Sequence, residues 1–452
     1  MEKQEKIIGY LPDERPTFFK LVLFAFQQII VMFPATVLVA LLTGFHVSTT
    51  IFASGLATLC FILITKRKIP LYYGSSFSYI AAICSITTAE AWTNGVASNN
   101  LIGQAQFGII LSGLVSIAVG LIVRKVSMEK IEKILPPSVT GPMAIIIGLS
   151  LAGVALTNIT GIAEPAMQSF AWVIGIVTFL ATVLFSIYVK RGTWGQIPIL
   201  LGLLVGYVLS LVLGWIVDYD FVNFSLYTGT IFALPHFTLP VPSWTAVLAI
   251  MPIAIATIPE STAHLFQLDI YVNKLAEEKG TTKKYDIANR LGDNLIGDGI
   301  GDMVSGLIGG PAGTNYGENI STMSITKNFS VWVLMAAAII TMVISMFVPI
   351  SAAVYSIPGA VIGGLSVYLF GVIAAQGVAI MIEKKVSLFS AKNLAVIASI
   401  LIVGIGGSYA FPGGMIPMFG LQAPAIATAA IVGIVLNLIF LVIDKIIASV
   451  KK

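Results

Sequence analysis

Apolar runs alternate with short polar connections along almost the whole chain. They can be read near 18–43, 48–65, 70–89, 105–123, 138–157, 170–189, 195–216, 245–267, 287–309, 313–327, 330–348, 358–382, 393–409 and 421–443, fourteen in all. Most are long enough for an apolar helix to cross a bilayer. The runs at 70–89 and 313–327 are different: they open with Pro, Gly and Tyr, not with a helical apolar stripe. Composition adds that 57% of the 452 residues are hydrophobic and only 10% charged. No soluble interior of this size hides that much apolar side chain, so the class is polytopic membrane protein. The first 17 residues are polar and no cleavage site follows the first apolar run, so no secretory signal is expected. Cys60 and Cys84 lie inside apolar runs and are expected to be packing residues, not a disulfide or a metal site.

The basic residues supply an orientation. With fourteen spans, all 25 Lys and Arg fall on one face: the N-terminal tail with Lys3, Lys6, Arg15 and Lys20; the 66–68 turn; Arg124 to Lys133; Lys190 and Arg191; Lys274 to Arg290; Lys327; Lys384 to Lys392; and Lys445, Lys451 and Lys452. The connections near 90–104, 158–169, 217–244, 349–357 and 410–420 carry none. The positive-inside rule then places both termini in the cytoplasm. Net charge +4 follows from this placement and implies no nucleic-acid partner. Trp92, Trp172, Trp194, Trp215, Trp244 and Trp332 fall near span ends, where interfacial tryptophan belongs.

Segments of the chain repeat. "IPLYYGSSFSYIAAI" (69–83) resembles "GTNYGENISTMSITK" (313–327): each has a Tyr-Gly step, a polar pair, then a helix-like run. "VTGPMAIIIGLSLAGVAL" (139–156) pairs with "SIPGAVIGGLSVYLFGVI" (356–373). These are runs three and ten, then five and twelve, a repeat of seven spans; seven is odd, so the second copy is inverted. Inverted repeats with interrupted spans mark secondary transporters whose site lies at the midplane. The extended stretches are tolerated at membrane depth only where they are buried in protein or line a cavity. Where they become helical, at Gly74–Phe77 and Gly317–Asn319, first-turn N–H groups lack intrahelical partners. Two helix N-termini, each a positive dipole end, are therefore expected to converge from opposite sides on a carbonyl-bearing ligand.

Few ionisable groups remain within the spans. Glu260 and His264 are four residues apart in "IPESTAHLF", hence on one helical face. Glu318 follows the second break, and Asp298 and Asp302 lie in run nine. Carboxylates at membrane depth are costly, and each is a functional candidate. Asp298 and Asp302 are alternatively caps of a cytoplasmic vestibule. His46 and His236 fall near outer connections and are expected to be solvated. Two carboxylates facing two helix N-termini suit a planar neutral ligand with alternating N–H donors and C=O acceptors, as on a cytosine or uracil edge, although many polar solutes share that pattern. Burial favours the neutral carboxylic acid, so such a site can also take up a proton.

The stretches "IPLYYGSSF", "PESTAHL", "TNYGENI" and "ITK" resemble the nucleobase–ascorbate transporter family, also called nucleobase:cation symporter-2, in its uracil permease branch. The resemblance runs from about Pro16 to Ile447. It implies an all-α polytopic fold of 14 transmembrane segments as 7+7 inverted repeats, with short strands in segments 3 and 10. It implies a core domain (1–134 and 245–350, spans 1–4 and 8–11) and a gate domain (135–244 and 351–452, spans 5–7 and 12–14). By motif, Glu260 and Glu318 would bond a pyrimidine, Phe77 and Gly317 would donate backbone N–H groups, and Ser76, Tyr316 and Ala35 would shape the pocket. His264, Glu260, Glu318 and Asp298 would take part in proton coupling; Asp302 has less support. The proton would be the coupling ion, with no other cofactor and no metal. A homodimer through the gate domain is compatible with the resemblance, as are lipid contacts in the cytoplasmic membrane. The family signature reads here Glu318-Asn319-Ile320-Ser321, four residues to Ile325, then Thr326-Lys327. Ser321 replaces the usual glycine. Gln28 stands where several uracil permeases have histidine, and Phe370 where some have tyrosine; both remove groups from the implied proton network. Glu318 in place of the glutamine usual in xanthine and urate carriers favours uracil.

The leading expectation is thus a uracil importer coupled to proton symport by alternating access. The alternative within transport is a xanthine or purine carrier. An anion exchanger or channel of the same architecture would want a cationic or neutral pocket, which two carboxylates oppose. An enzyme is not expected: there is no GxSxG, HExxH or phosphate-binding loop, and the longest charged connection, 268–290, is too short to fold alone.

Overall fold

The computed structural model describes residues 9–126, 130, 133–162, 164–189, 197–223, 229–418 and 420–450. Lys3, Lys6, Lys190, Arg191, Trp194, Lys451 and Lys452, used above for orientation, lie outside the described residues. The chain begins with α1 (Phe18–Thr43), α2 (Val47–Ile64), β1 (Tyr73–Ser75), a single 3₁₀ turn (Phe77–Tyr79) and α3 (Ile80–Thr87). Then come α4 (Asn99–Val123), α5 (Pro137–Ser150), α6 (Ala152–Thr160), α7 (Gln168–Tyr188) and α8 (Pro198–Val217). After a long connection follow α9 (Trp244–Ile250), α10 (Ile253–Glu278), α11 (Leu291–Ile308), β2 (Gly313–Asn315), α12 (Gly317–Thr326) and α13 (Val331–Ile344). The chain closes with α14 (Val348–Tyr355), α15 (Gly359–Glu383), α16 (Ala391–Leu401), α17 (Gly407–Ala410), the hairpin β3 (Met415–Met418)–β4 (Leu421–Pro424), and α18 (Ala425–Val450).

Among the described residues ten helices are long and apolar enough to cross a membrane. The other four expected runs are helical but short or polar. Phe77–Thr87 and Val331–Ile344 are apolar but brief. α12 has only 10 residues, and α11 carries Asp293, Asp298 and Asp302. One boundary is corrected. The eighth run does not end near 267, because α10 continues to Glu278 and buries Leu268, Val272, Leu275 and Ala276 along one side. The charged 268–290 stretch is therefore mostly helix. The β3–β4 hairpin replaces what reads in sequence as a simple connection at 410–420.

Helices approach closely where their facing residues are small. Apolar lipid gives no hydrophobic drive between helices, so close van der Waals packing must hold them together. α4 lies along α11, and a Cβ at Gly113 would stand 2.4 Å from the Gly299 carbonyl oxygen. α2 packs on α11 and α13, α15 packs on α5, α6 and α7, and α7 on α8. α1 and α10 each contain a proline, Pro34 and Pro259, which removes one helical hydrogen bond and favours a kink there.

At the centre β1 and β2 pair antiparallel, Tyr73 opposite Asn315, Gly74 opposite Thr314 and Ser75 opposite Gly313. The ladder is extended at both ends: the Ser76 N–H donates to the Ala312 carbonyl (2.9 Å) and the Tyr316 N–H to the Tyr72 carbonyl (3.0 Å). This register has a local two-fold symmetry that carries Gly74 onto Thr314 and Ser76 onto Tyr316, a shift of 240 residues. The two Tyr-Gly steps, paired above by sequence likeness, are offset by 243 and are not equivalent. Phe77 instead corresponds to Gly317, and Ser78 to Glu318.

Each strand's glycine is covered by a tyrosine of the other segment. An added Cβ at Gly74 would meet the Tyr316 ring at 2.3 Å; at Gly313 it would meet the Tyr73 ring at 2.4 Å and the Gly74 carbonyl oxygen at 2.5 Å. Gly313→Ala should therefore push the strands apart and cost about 1–3 kcal/mol. The expected readout is a lower melting temperature of the purified protein; an unchanged value would show that the pair tolerates separation.

Candidate functional site

β1 and β2 end where two helices begin, and this positions the candidate groups. Beyond Ser76 the chain enters the 3₁₀ turn, with Ser76 Oγ accepting from the Ser78 N–H (3.3 Å). Beyond Tyr316 it enters α12, with Glu318 in the first turn and its carboxylate against its own N–H. Among the described residues the N–H groups of Phe77 and Gly317 have no hydrogen-bond partner. They are the orphan donors expected at helix starts, and the two-fold of the strand pair relates them.

Glu260 comes from mid-α10, one residue after Pro259, and Ser78 Oγ donates to its Oε2 at 3.2 Å. Glu260 and Glu318 lie within electrostatic reach of each other. His264, one helical turn further along α10, stands over Gly317: a Cβ there would be 2.9 Å from His264 Nε2. His264 Nδ1 is buried without a partner. Glu260, His264, Gly317 and Glu318 are all half-buried. A cavity of about 220 Å³ borders Gly317 and Glu318; across it lie Pro34 of α1, Ile197 to Leu200 at the start of α8, and Tyr368, Leu369 and Gln376 of α15. Glu260, Phe77, Ser76, Tyr316 and Ala35 do not line this cavity.

Several candidates sit behind the site. Ala35 is 1% exposed and packs in the same cluster as Phe77 and Tyr316. The Tyr316 hydroxyl donates to the Ser75 carbonyl (3.0 Å) and bonds Thr36 Oγ1 (3.0 Å), so Tyr316 braces β1. The Phe77 ring meets the Phe370 ring edge-on at 5.7 Å. That contact joins the 3₁₀ turn to α15.

Asp298 and Asp302 do not cap or hydrate a vestibule, because both are buried beneath the strands. Asp302 accepts from the Tyr73 hydroxyl and from the Gly313 N–H (2.8 Å), which ties α11 to both strands. Asp298 Oδ2 accepts from Ser261 Oγ (2.7 Å), Asn315 Nδ2 (3.3 Å) and Asn294 Nδ2 (3.4 Å), while its Oδ1 is buried without a partner. His46 and His236 lie away from this cluster and face each other.

Sequence reasoning missed the role of Gln28. Asn319, in the first turn of α12, donates from Nδ2 to Gln28 Oε1 (2.8 Å) and to the Gln28 carbonyl (3.0 Å). Gln28 is thus the anchor of the half-helix that carries Glu318. The signals for it were the adjacent Gln27 and Gln28 in a mostly apolar run and the departure from histidine at that position.

The cavity is bordered by one carboxylate, Glu318, and one free helix-start N–H, Gly317, and it lies among helices of membrane-crossing length. A family described as a permease family matches residues 19–413. The uracil permease of Bacillus caldolyticus is 36% identical over 429 residues, 94% of this chain and 93% of the relative. The uracil permease of Escherichia coli (strain K12) is 34% identical over 436 residues, 96% and 94% of the two chains. Among solved structures, SLC26A9 is 12% identical with a TM-score of 0.65, covering 94% of this chain and 65% of that one. The transmembrane domain of the cyanobacterial bicarbonate transporter BicA is 15% identical with a TM-score of 0.55, covering 92% and 96%. These two likenesses concern the fold alone. The chain belongs to the permease family, nucleobase:cation symporter-2, and is a transporter, not an enzyme.

Gln28→Ala leaves Asn319 Nδ2 with only the backbone carbonyl. Losing one bond of a buried donor costs about 1–2 kcal/mol. The variant should melt at a lower temperature than wild type, and Gln28→His, which keeps an acceptor nitrogen, should recover part of the difference. Equal melting of all three would remove Gln28 from the support of α12.

Proposed function

We propose that this protein imports uracil across the cytoplasmic membrane together with a proton, by alternating access. The carrying observation is the meeting of two orphan N–H groups, Phe77 and Gly317, with two half-buried carboxylates, Glu260 and Glu318, at the paired strand ends. A uracil edge alternates C=O acceptors with N–H donors. Backbone N–H groups donate to its carbonyls and carboxylates accept from its ring nitrogens. The relatives named uracil permease support the same substrate.

The fold reading is fourteen spans in two inverted halves of seven, divided into core (1–134, 245–350) and gate (135–244, 351–452). The packing supports it: shifting every span by seven carries α4 on α11 into α13 on α2, and α7 on α8 into α16 on α18, pairs that are all in contact. The core carries the strand ends, and the gate presents α15 to them. The termini are cytoplasmic in this reading. The cavity beside Glu318 reaches Ile325, two residues from Lys327 and so toward the basic face of this reading. His264, over Gly317, and the two glutamates are the groups assigned to proton coupling, with Asp298 behind them. The coupling ion is the proton and no other cofactor is assigned.

Glu318→Ala removes an acceptor for a ring N–H. A hydrogen bond to a charged group is worth about 1.5–3 kcal/mol, so uracil affinity should fall by roughly tenfold to a hundredfold or more. Thermal shift of the purified protein with uracil or xanthine, at pH 5.5 and 7.5, reads this directly. Linkage requires that a substrate carried with a proton bind more tightly where protons are more abundant. The uracil shift should therefore be larger at pH 5.5 and collapse in Glu318→Ala. A xanthine shift without a uracil shift would sink the uracil reading, and equal uracil shifts at both pH values would sink proton coupling.

A further inference from the structure

Two of the three histidines meet at the surface, outside the transport site. His46 precedes α2, and His236 lies in the connection between α8 and α9. Their ring centroids are 4.3 Å apart, with the planes at 45°. Both Nε2 atoms face one carboxamide: His46 Nε2 is 3.3 Å from Asn99 Oδ1, and His236 Nε2 is 3.2 Å from Asn99 Nδ2. The amide nitrogen can only donate, so His236 Nε2 already presents a lone pair. His46 Nε2 presents one on moving its proton to Nδ1, its other neutral tautomer.

The backbone beneath these side chains is fixed. Thr49 Oγ1 donates to the His236 carbonyl at 2.7 Å, and Thr238 Oγ1 donates to Gln106 Oε1 at 2.8 Å. Asn99 is the first residue of α4, next to the capping Ser98. His236 and Asn99 are exposed and His46 is half-buried, so dissolved solutes reach all three.

We propose that His46 and His236 form a binding site for one divalent transition-metal ion, which displaces the Asn99 amide and completes its shell with water. Imidazole selects zinc, nickel and copper, while the hard ions magnesium and calcium prefer oxygen ligands. Among the described residues no third histidine, cysteine or carboxylate joins the pair, so a hard ion finds no carboxylate here. At zinc–nitrogen distances of about 2.0–2.1 Å, two nitrogens on a tetrahedral ion stand roughly 3.4 Å apart. The two rings, 4.3 Å apart at their centroids, already aim both Nε2 atoms at one point, the Asn99 amide. A bound ion would tie the α8–α9 connection to the starts of α2 and α4, and binding to the folded state alone raises its stability.

The test is calorimetric titration of the full chain, freed of any affinity tag, with zinc, nickel and magnesium chlorides. Wild type should bind one zinc or nickel ion per chain and gain melting temperature, and magnesium should do neither. His46→Ala and His236→Ala should each weaken zinc binding roughly tenfold or more, since even outer-shell losses at metal sites cost that much. Asn99→Ala keeps both imidazoles and should retain binding. His236 lies in an exposed connection, so His236→Ala remains informative if His46→Ala does not fold. The proposal is overturned if wild type binds zinc no better than magnesium, or if His236→Ala binds zinc as tightly as wild type.

Discussion

The structure depends on pairing three residues of β1 with three of β2. At membrane depth no water satisfies extended backbone, so each strand needs the other. The pairing also costs the chain side-chain freedom, because Gly74 and Gly313 must stay bare for the Tyr316 and Tyr73 rings to lie on them. Tyr73 further reaches Asp302 on α11, and Tyr316 reaches Thr36 on α1. The strand pair, with Tyr316 just beyond β2, thereby fixes two helices from opposite halves of the chain. The helix starts that bear the free N–H groups are held as a consequence.

The four carboxylates near this pair divide by how fully they are bonded. Asp302 accepts from a hydroxyl and from a strand N–H and is buried, so it has the partners a buried acid requires. Asp298 has three donors on one oxygen and none on the other. Glu260 holds a single serine hydroxyl, and Glu318 only its own N–H. Glu260 and Glu318, the half-buried acids, hold the fewest donors, and among the buried two only Asp298 keeps an oxygen without a donor. Location in an apolar run does not separate these roles, which is why sequence reading treats Asp298 and Glu318 as similar candidates.

What was legible in the chain was local or periodic. Apolar length and basic residues give the helices, and a Tyr-Gly step in a span gives away the two breaks. The i, i+4 spacing puts Glu260 and His264 on one face of α10, where the structure has them. Partners far apart in sequence were not legible. Asn319 finds Gln28 across 291 residues, and Tyr73 finds Asp302 across 229. The extension of α10 to Glu278 was hidden because its charged residues alternate with the apolar ones it buries. The strand register was misread for a similar reason: Tyr-Gly recurs by likeness, but hydrogen bonding sets equivalence.

That register changes how the repeat relates to the site. Under the 240-residue shift the two orphan donors, Phe77 and Gly317, are equivalent, so the backbone half of the site is symmetric. The side chains are not. Ser78 stands where the other half has Glu318, and it spends its hydroxyl on Glu260 of a different helix. One half supplies an acid on its own half-helix; the other supplies a serine that orients an acid borrowed from α10. A ligand lying between equivalent N–H groups therefore meets unequal partners on its two edges. In the proposed site these unequal partners would hold an asymmetric planar ring in one orientation, which a strictly two-fold arrangement would not do.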